Sequence, residues 1–209
     1  MAVLRMTRRP KISAPAKREA VPAGPAPDRA RLHEAALKHL SRYATTEVGL
    51  RRVLFRRVDR WARAAGGDSA DAAAAKQAAR EVVARLVEQG LVSDAAFAAA
   101  RARSLTRAGR SRRAVEAHLA QRGVGAEVLR ETVAEDAETE LAAALAMTRR
   151  RRIGPFRAAE LEDGVEAAAA RLKELGVLAR AGFSQDIARQ ALGMELEEAQ
   201  ARIARLRRD

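Results

Sequence analysis

The stretch that decides the fold is LAQRGVGAEVLRETV, residues 119–133, because the chain uses its pattern twice. Set over LARAGFSQDIARQAL, residues 178–192, it coincides at Leu119/Leu178, Ala120/Ala179, Gly123/Gly182 and Arg130/Arg189. Val124 falls opposite Phe183, Glu127 opposite Asp186 and Val128 opposite Ile187. The pattern reads as a helix end, a glycine, an apolar corner residue, a small N-cap and a second helix. Glycine can take the positive φ that ends a helix, and the apolar residue after it can plug the gap between the two helices. A third, interrupted copy begins at LRRVLFRRV, residues 50–58, and resumes at AREVV, residues 79–83, with an insert at about 59–74 that contains Trp61.

Working outward, apolar residues recur at helical spacing along nearly the whole chain from Asp28, and no segment alternates as a strand would. Helices are expected at about 28–42, 46–64, 69–89, 94–107, 111–122, 125–135, 136–150, 158–180, 184–192 and 195–207. Asp28 and Ser93 stand at N-cap positions, Gly90 follows a last apolar turn, and Gly154–Pro155 marks a turn. Two short helices cannot bury enough apolar surface alone, so such hairpins must stack on their neighbours. The expected architecture is all-α, three tandem repeats of three-helix units forming an elongated, curved body. The reading divides the chain into a disordered, basic, Pro-rich arm at 1–27 and repeats at 28–104, 105–150 and 151–209, the last carrying a C-terminal helix.

Charge sets the range of partners. Lys+Arg number 40 against 27 Asp+Glu, a net charge of +13 and a pI near 11.3. Such a balance favours a polyanionic partner without specifying a fold. Only five of the basic residues are Lys, and arginine forks suit phosphate or carboxylate equally. An Arg- and Ala-rich genomic composition explains the skew equally well. There is no Cys, which excludes disulfides and thiolate metal sites and fits a reducing cytoplasm. No apolar run reaches membrane-spanning length, and the basic N-terminal stretch lacks the apolar core of a secretory signal.

Three stretches, GLVSDAAFAAARARS (90–104), RAGRSRRAVEAHLAQRGV (107–124) and LARAGFSQDIARQALG (178–193), together resemble the RecX family over about residues 30–193. The phrase around Gly90–Ala98, the basic Gly-Arg-Ser turn and the glycine–apolar corner carry the resemblance. The insert near Trp61 and the basic arm at the front depart from the family's shortest form. The resemblance implies tandem three-helix units. It also implies a small regulator that lies along the groove of a RecA recombinase filament on single-stranded DNA and restrains its ATPase, strand exchange and growth. It would be non-enzymatic, without a cofactor, monomeric and cytoplasmic, with weak, non-specific contact to mainly single-stranded DNA.

The arginines are segregated in a way an ordinary solvated helix is not. Residues 89–124 hold Arg101, Arg103, Arg107, Arg110, Arg112, Arg113 and Arg122 against Asp94 and Glu116. Residues 125–148 reverse the sign, with six acids against Arg130, and Arg149, Arg150, Arg151 and Arg152 restore it. The candidate interface is Arg101, Arg103, Arg107, Arg110, Arg112, Arg113, Arg149, Arg150, Arg151 and Arg152. Arg103, Arg107 and Arg110 recur at i, i+4 and i+7, near one helical face. Blocks of both signs suit a partner that displays both. The acidic block instead neutralising Arg149–Arg152 within the fold remains an equal alternative.

Other chemistries find little footing. His33, His39 and His118 are scattered, with no ligand spacing, nucleophile elbow or phosphate-binding glycine loop. Phe97 and Phe183 read as core, so base stacking is a minor mode, while Tyr43 and Trp61 read equally as free anchors or as half-buried packing. The rival reading is a helix–turn–helix or nucleoid-associated DNA-binding protein. Its recognition helix in the second unit would carry Glu127, Glu131, Glu135 and Asp136 with Arg130 alone, a poor match to a phosphate-lined groove.

Overall fold

The computed structural model describes residues 24–66, 70–133, 135–158 and 164–208. The expected arm at 1–27 lies outside the described residues except for its last four. Among the described residues the chain is ten α-helices and one 3-10 turn, with no strand. They are α1 (Arg29–Leu40), α2 (Glu47–Ala64), α3 (Ala70–Glu88), α4 (Asp94–Arg107), α5 (Arg112–Gln121), α6 (Ala126–Thr132), α7 (Ala137–Arg151), α8 (Val165–Arg180), α9 (Gln185–Gly193) and α10 (Leu196–Arg208), with the 3-10 turn at Gly154–Phe156. The helix expected from about 158 is seen from Val165, and 159–163 lie outside the described residues.

Local sequence explains where the helices start. Asp28, Thr46, Ser93, Ser111, Asp136 and Ser184 all sit in extended backbone, and each side chain accepts an amide of the first turn. Each such bond satisfies a donor that the helix itself cannot. The two aligned corners close identically. Gly123 has φ +89° and Gly182 φ +93°; the amides of Val124 and Phe183 donate to Leu119 and Leu178 carbonyls at 3.2 Å in both cases. Val124 and Phe183 are buried as plugs, as the sequence pattern requires.

Burial sorts the helices into three cores in chain order. Leu32, Leu50, Leu54, Val58, Val82 and Leu86 build the first from α1–α3. Ala98, Ala102, Val115, Leu119 and Val124 build the second from α4–α6. Leu141, Leu145, Leu178, Phe183, Ala188 and Ile203 build the third from α7–α10. The sequence reading cut the chain after 104 and after 150, whereas these cores group α4 with α5 and α6, and α7 with α8–α10. We therefore propose unit boundaries near 93 and near 135. Trp61 packs on the first core, and its indole N–H donates to the Gly24 carbonyl at 2.7 Å, so the insert is the lengthened α2–α3 pair.

Neighbouring units meet through one joint used twice. The Thr46 hydroxyl, buried at the start of α2, donates to the Arg122 carbonyl at 2.6 Å. The Ser111 hydroxyl, buried at the start of α5, donates to the Ala181 carbonyl at 2.6 Å. Arg122 and Ala181 are equivalent positions of the aligned repeat, each just before its corner glycine. A carboxylate completes each joint: Asp94 Oδ1 accepts the Glu47 amide and Glu140 Oε2 accepts the Arg112 amide, both at 2.8 Å. A Cβ on Gly123 would lie 2.5 Å from Val48 Cβ, and one on Gly182 would lie 2.8 Å from Ser111 Oγ. The glycines are thus needed twice over, for backbone conformation and for the neighbour's approach.

Candidate nucleic-acid and partner interface

The ten candidate arginines separate into groups with different surroundings. Arg112 is half-exposed but already paired: its guanidinium contacts Glu116 at 2.7 Å and Glu135 at 3.1 Å. Its amide is held by Glu140, so part of the acidic block serves the joint between the second and third units. Arg101 is half-buried and its Nε donates to His118 Nε2 at 3.2 Å. Burial first, then the charges of Arg101, Arg122 and Arg110, lower the His118 pKa, keeping the imidazole able to accept that bond. The other eight, Arg103, Arg107, Arg110, Arg113 and Arg149–Arg152, are exposed, and none is in an ion pair among the described residues.

Two clefts divide the stripe that the sequence placed on one face. Arg103 and Arg107 line a cleft of about 240 Å³ with Asp136, Glu140 and Leu206, a surface of mixed sign. Burial raises the Glu140 pKa there, opposed by the Arg112 amide and guanidinium. Arg110 instead faces a cleft of about 400 Å³ with Arg150, Arg151 and Arg180, and no carboxylate lines it. Arg180 is absent from the sequence-based candidates, although it lies within the repeated helix end, opposite Gln121 and two residues before the corner glycine Gly182.

Arg152 carries a separate signal. It ends α7 at φ 56°, ψ 48°, the sole non-glycine residue with positive φ among the described residues. The equivalent end of α4 has Gly109 in this conformation, where a Cβ would lie 2.7 Å from the Met147 amide nitrogen. At Arg152 a guanidinium is retained despite left-handed backbone.

Helix α6, which would read bases in a helix–turn–helix protein, spans seven residues and exposes Glu127 and Glu131 beside Arg130. Among the described residues no group of side chains could hold a metal ion, and no helix is long and apolar enough to cross a membrane.

Residues 93–133, which are α4–α6 with the Ser93 cap, match the family model described as RecX, second three-helix domain. The chain is 43% identical over 164 residues to the regulatory protein RecX of Myxococcus xanthus (strain DK1622), covering 77% of this chain and 83% of that one. It belongs to the RecX family. The regulatory protein RecX of Agrobacterium fabrum (strain C58 / ATCC 33970) is 34% identical over 109 residues, covering 52% of this chain and 55% of that one. The crystal structure of RecX from Lactobacillus salivarius superposes with a TM-score of 0.53 at 15% identity, over 83% of this chain and 97% of that one. That likeness concerns the fold, and it agrees with the all-helical architecture described above, two three-helix units followed by a third unit of four helices.

Proposed function

We propose that this chain is a non-enzymatic modulator that docks, as a monomer in the cytoplasm, along the groove of a RecA recombinase filament on single-stranded DNA. It lowers the filament's ATP turnover, strand exchange and growth, and makes weak, non-specific contact with the DNA. The observation that carries the reading is the 43% identity to a regulatory protein RecX over most of both chains. The mixed-sign cleft supports it: exposed Arg103 and Arg107 beside Asp136 offer both charges to a protein surface that presents both. Arg113 and Arg149 are also exposed and outside any ion pair among the described residues, whereas Arg112, at the same cleft, is already paired with Glu116 and Glu135.

Reversing Arg103, Arg107 and Arg113 to Glu together tests the reading. Recombinase ATP turnover on single-stranded DNA is measured with increasing amounts of each protein, and circular dichroism checks helicity. The wild-type chain slows turnover and the triple variant, with unchanged helicity, does not. Full inhibition by the triple variant would remove these arginines from the mechanism, and no effect of the wild-type chain would remove the recombinase itself.

A further inference from the structure

The cleft of Arg110, Arg150, Arg151 and Arg180 has a counterpart one unit earlier. At the first joint, adjoining clefts of about 730 and 410 Å³ share Tyr43, Ala44, Thr45, Phe97 and Arg122. Arg52 and Arg56 of α2 line the smaller of the two. Both joints build the cleft from the same three parts. One is the segment after a unit's first helix, Tyr43–Thr45 or Gly109–Arg110. The second is the first helix of the next unit, presenting Phe97 from α4 or Met147 and Arg150 from α7. The third is that unit's corner, Arg122 or Ala181.

Neither cleft is lined by a carboxylate, although the chain carries 27 acids, and the mixed-sign cleft at the second joint has Asp136 and Glu140. Arg52, Arg56, Arg122, Arg110, Arg150, Arg151 and Arg180 are all exposed, and none forms an ion pair among the described residues. Arg150 and Arg52 do bond the Ala108 and Gln121 carbonyls, at 2.5 and 3.4 Å. These bonds orient the guanidinium groups without neutralising them. Uncompensated cations repeated at successive joints match a polymer whose negative charge repeats.

Tyr43 separates single from double strands. It is 60% exposed at the first cleft, tilted against His39 with ring centroids 5.2 Å apart, and Phe97 lies half-buried beside it. An open aromatic at the edge of a cationic cleft offers a stacking face to an unpaired base, which a duplex does not present. We infer that the two carboxylate-free clefts form one track for a single-stranded nucleic acid. Phosphodiester groups lie on Arg52, Arg56 and Arg122 at the first joint and on Arg110, Arg150, Arg151 and Arg180 at the second, and a base lies on Tyr43. This deepens the DNA-contact part of the proposed function and is independent of the recombinase contact.

The test is fluorescence anisotropy of a labelled oligothymidylate long enough to cross both joints, with the full chain at several salt concentrations. Two variants each remove one cleft, Arg52→Glu with Arg56→Glu, and Arg151→Glu with Arg180→Glu. Tyr43→Ala removes the stacking face, and Arg85→Glu with Arg189→Glu, both exposed and lining neither cleft, serves as the control for net charge. Circular dichroism reports folding, and Arg→Gln versions replace any Glu variant that loses helicity.

Each cleft variant weakens binding at least tenfold and flattens the slope of log affinity against log salt by roughly 0.7 for every phosphate no longer neutralised. Tyr43→Ala weakens binding with the slope unchanged, and the Arg85/Arg189 charge control loses much less affinity than either cleft variant. Cleft variants that keep wild-type affinity and slope overturn the track and leave the recombinase reading standing. A wild-type chain that does not bind the oligonucleotide overturns the track together with the DNA contact. If polyglutamate competes as well as unlabelled oligothymidylate, an acidic protein is the occupant and the inference fails.

Discussion

Replacing Ser111 by Ala removes two hydrogen bonds with different meanings. One is the local cap of α5, accepted from the Ala114 amide at 3.3 Å; the other is the donation across the joint to the Ala181 carbonyl at 2.6 Å. Loss of a serine cap costs about 1 kcal/mol, and a part-buried carbonyl left facing a methyl group costs about 1–3 kcal/mol more. The sum, about 2–4 kcal/mol, is a large share of the ~5–15 kcal/mol that holds a typical domain. Ser184→Ala is the internal control. Ser184 caps α9 with a bond to the Ile187 amide, also at 3.3 Å, but its side chain is exposed and serves only that cap. It loses about 1 kcal/mol. Urea unfolding followed by circular dichroism compares the two. With a slope near 2 kcal/mol/M, Ser111→Ala lowers the midpoint by roughly 1–2 M and Ser184→Ala by about 0.5 M. Equal losses in the two variants would refute the joint as a stabilising contact. Thr46→Val at the first joint repeats the experiment.

The corner glycines give a paired comparison. Gly123→Ala combines left-handed strain, about 1–2 kcal/mol, with a clash against Val48, whereas Gly66→Ala, at φ +101° with nothing within 4 Å, meets the strain alone. Thermal unfolding should therefore place Gly123→Ala below Gly66→Ala, and the reverse order would contradict the packing at the first joint. Arg152→Gly relieves left-handed backbone and should raise stability by about 1 kcal/mol while reducing inhibition of recombinase ATP turnover; a destabilised variant would show that Arg152 is kept for structure. Glu140 has a folded-state pKa raised by burial, so its ionised form is the disfavoured one, and the stability it contributes below its unfolded pKa is lost as pH rises through that value to the folded one. Glu140→Gln, which retains an oxygen for the Arg112 amide, should gain on wild type at neutral pH and lose that advantage in acid; urea midpoints across pH that show the opposite trend would contradict it.

Much of the fold was legible because helix ends are written locally. Caps such as Ser93 and Asp28, and the glycine–apolar corners at Gly123 and Gly182, act within a few residues, so sequence alone located them. The joints were not legible, because Thr46 meets Arg122 and Ser111 meets Ala181 across 76 and 70 residues. The sequence-based unit boundaries differ from the grouping of the cores for the same reason: helix periodicity says which face is buried but not against which partner. The interface was legible as a charge block and no further. Spacing put Arg103, Arg107 and Arg110 near one helical face, yet Arg110 follows the end of α4 and turns to a different cleft. Arg112 looked as free as Arg113, and the pairing of its guanidinium with Glu116 and the distant Glu135 shows it to be committed.

Co-sedimentation tests the central claim most directly. Purified chain is mixed with recombinase filaments assembled on single-stranded DNA and, separately, with the same DNA alone, at matched nucleotide and physiological salt. The account predicts that the chain pellets with the filament at concentrations where bare DNA retains little of it, and that Arg103→Glu/Arg107→Glu/Arg113→Glu abolishes the difference. Equal retention by filament and bare DNA would contradict it.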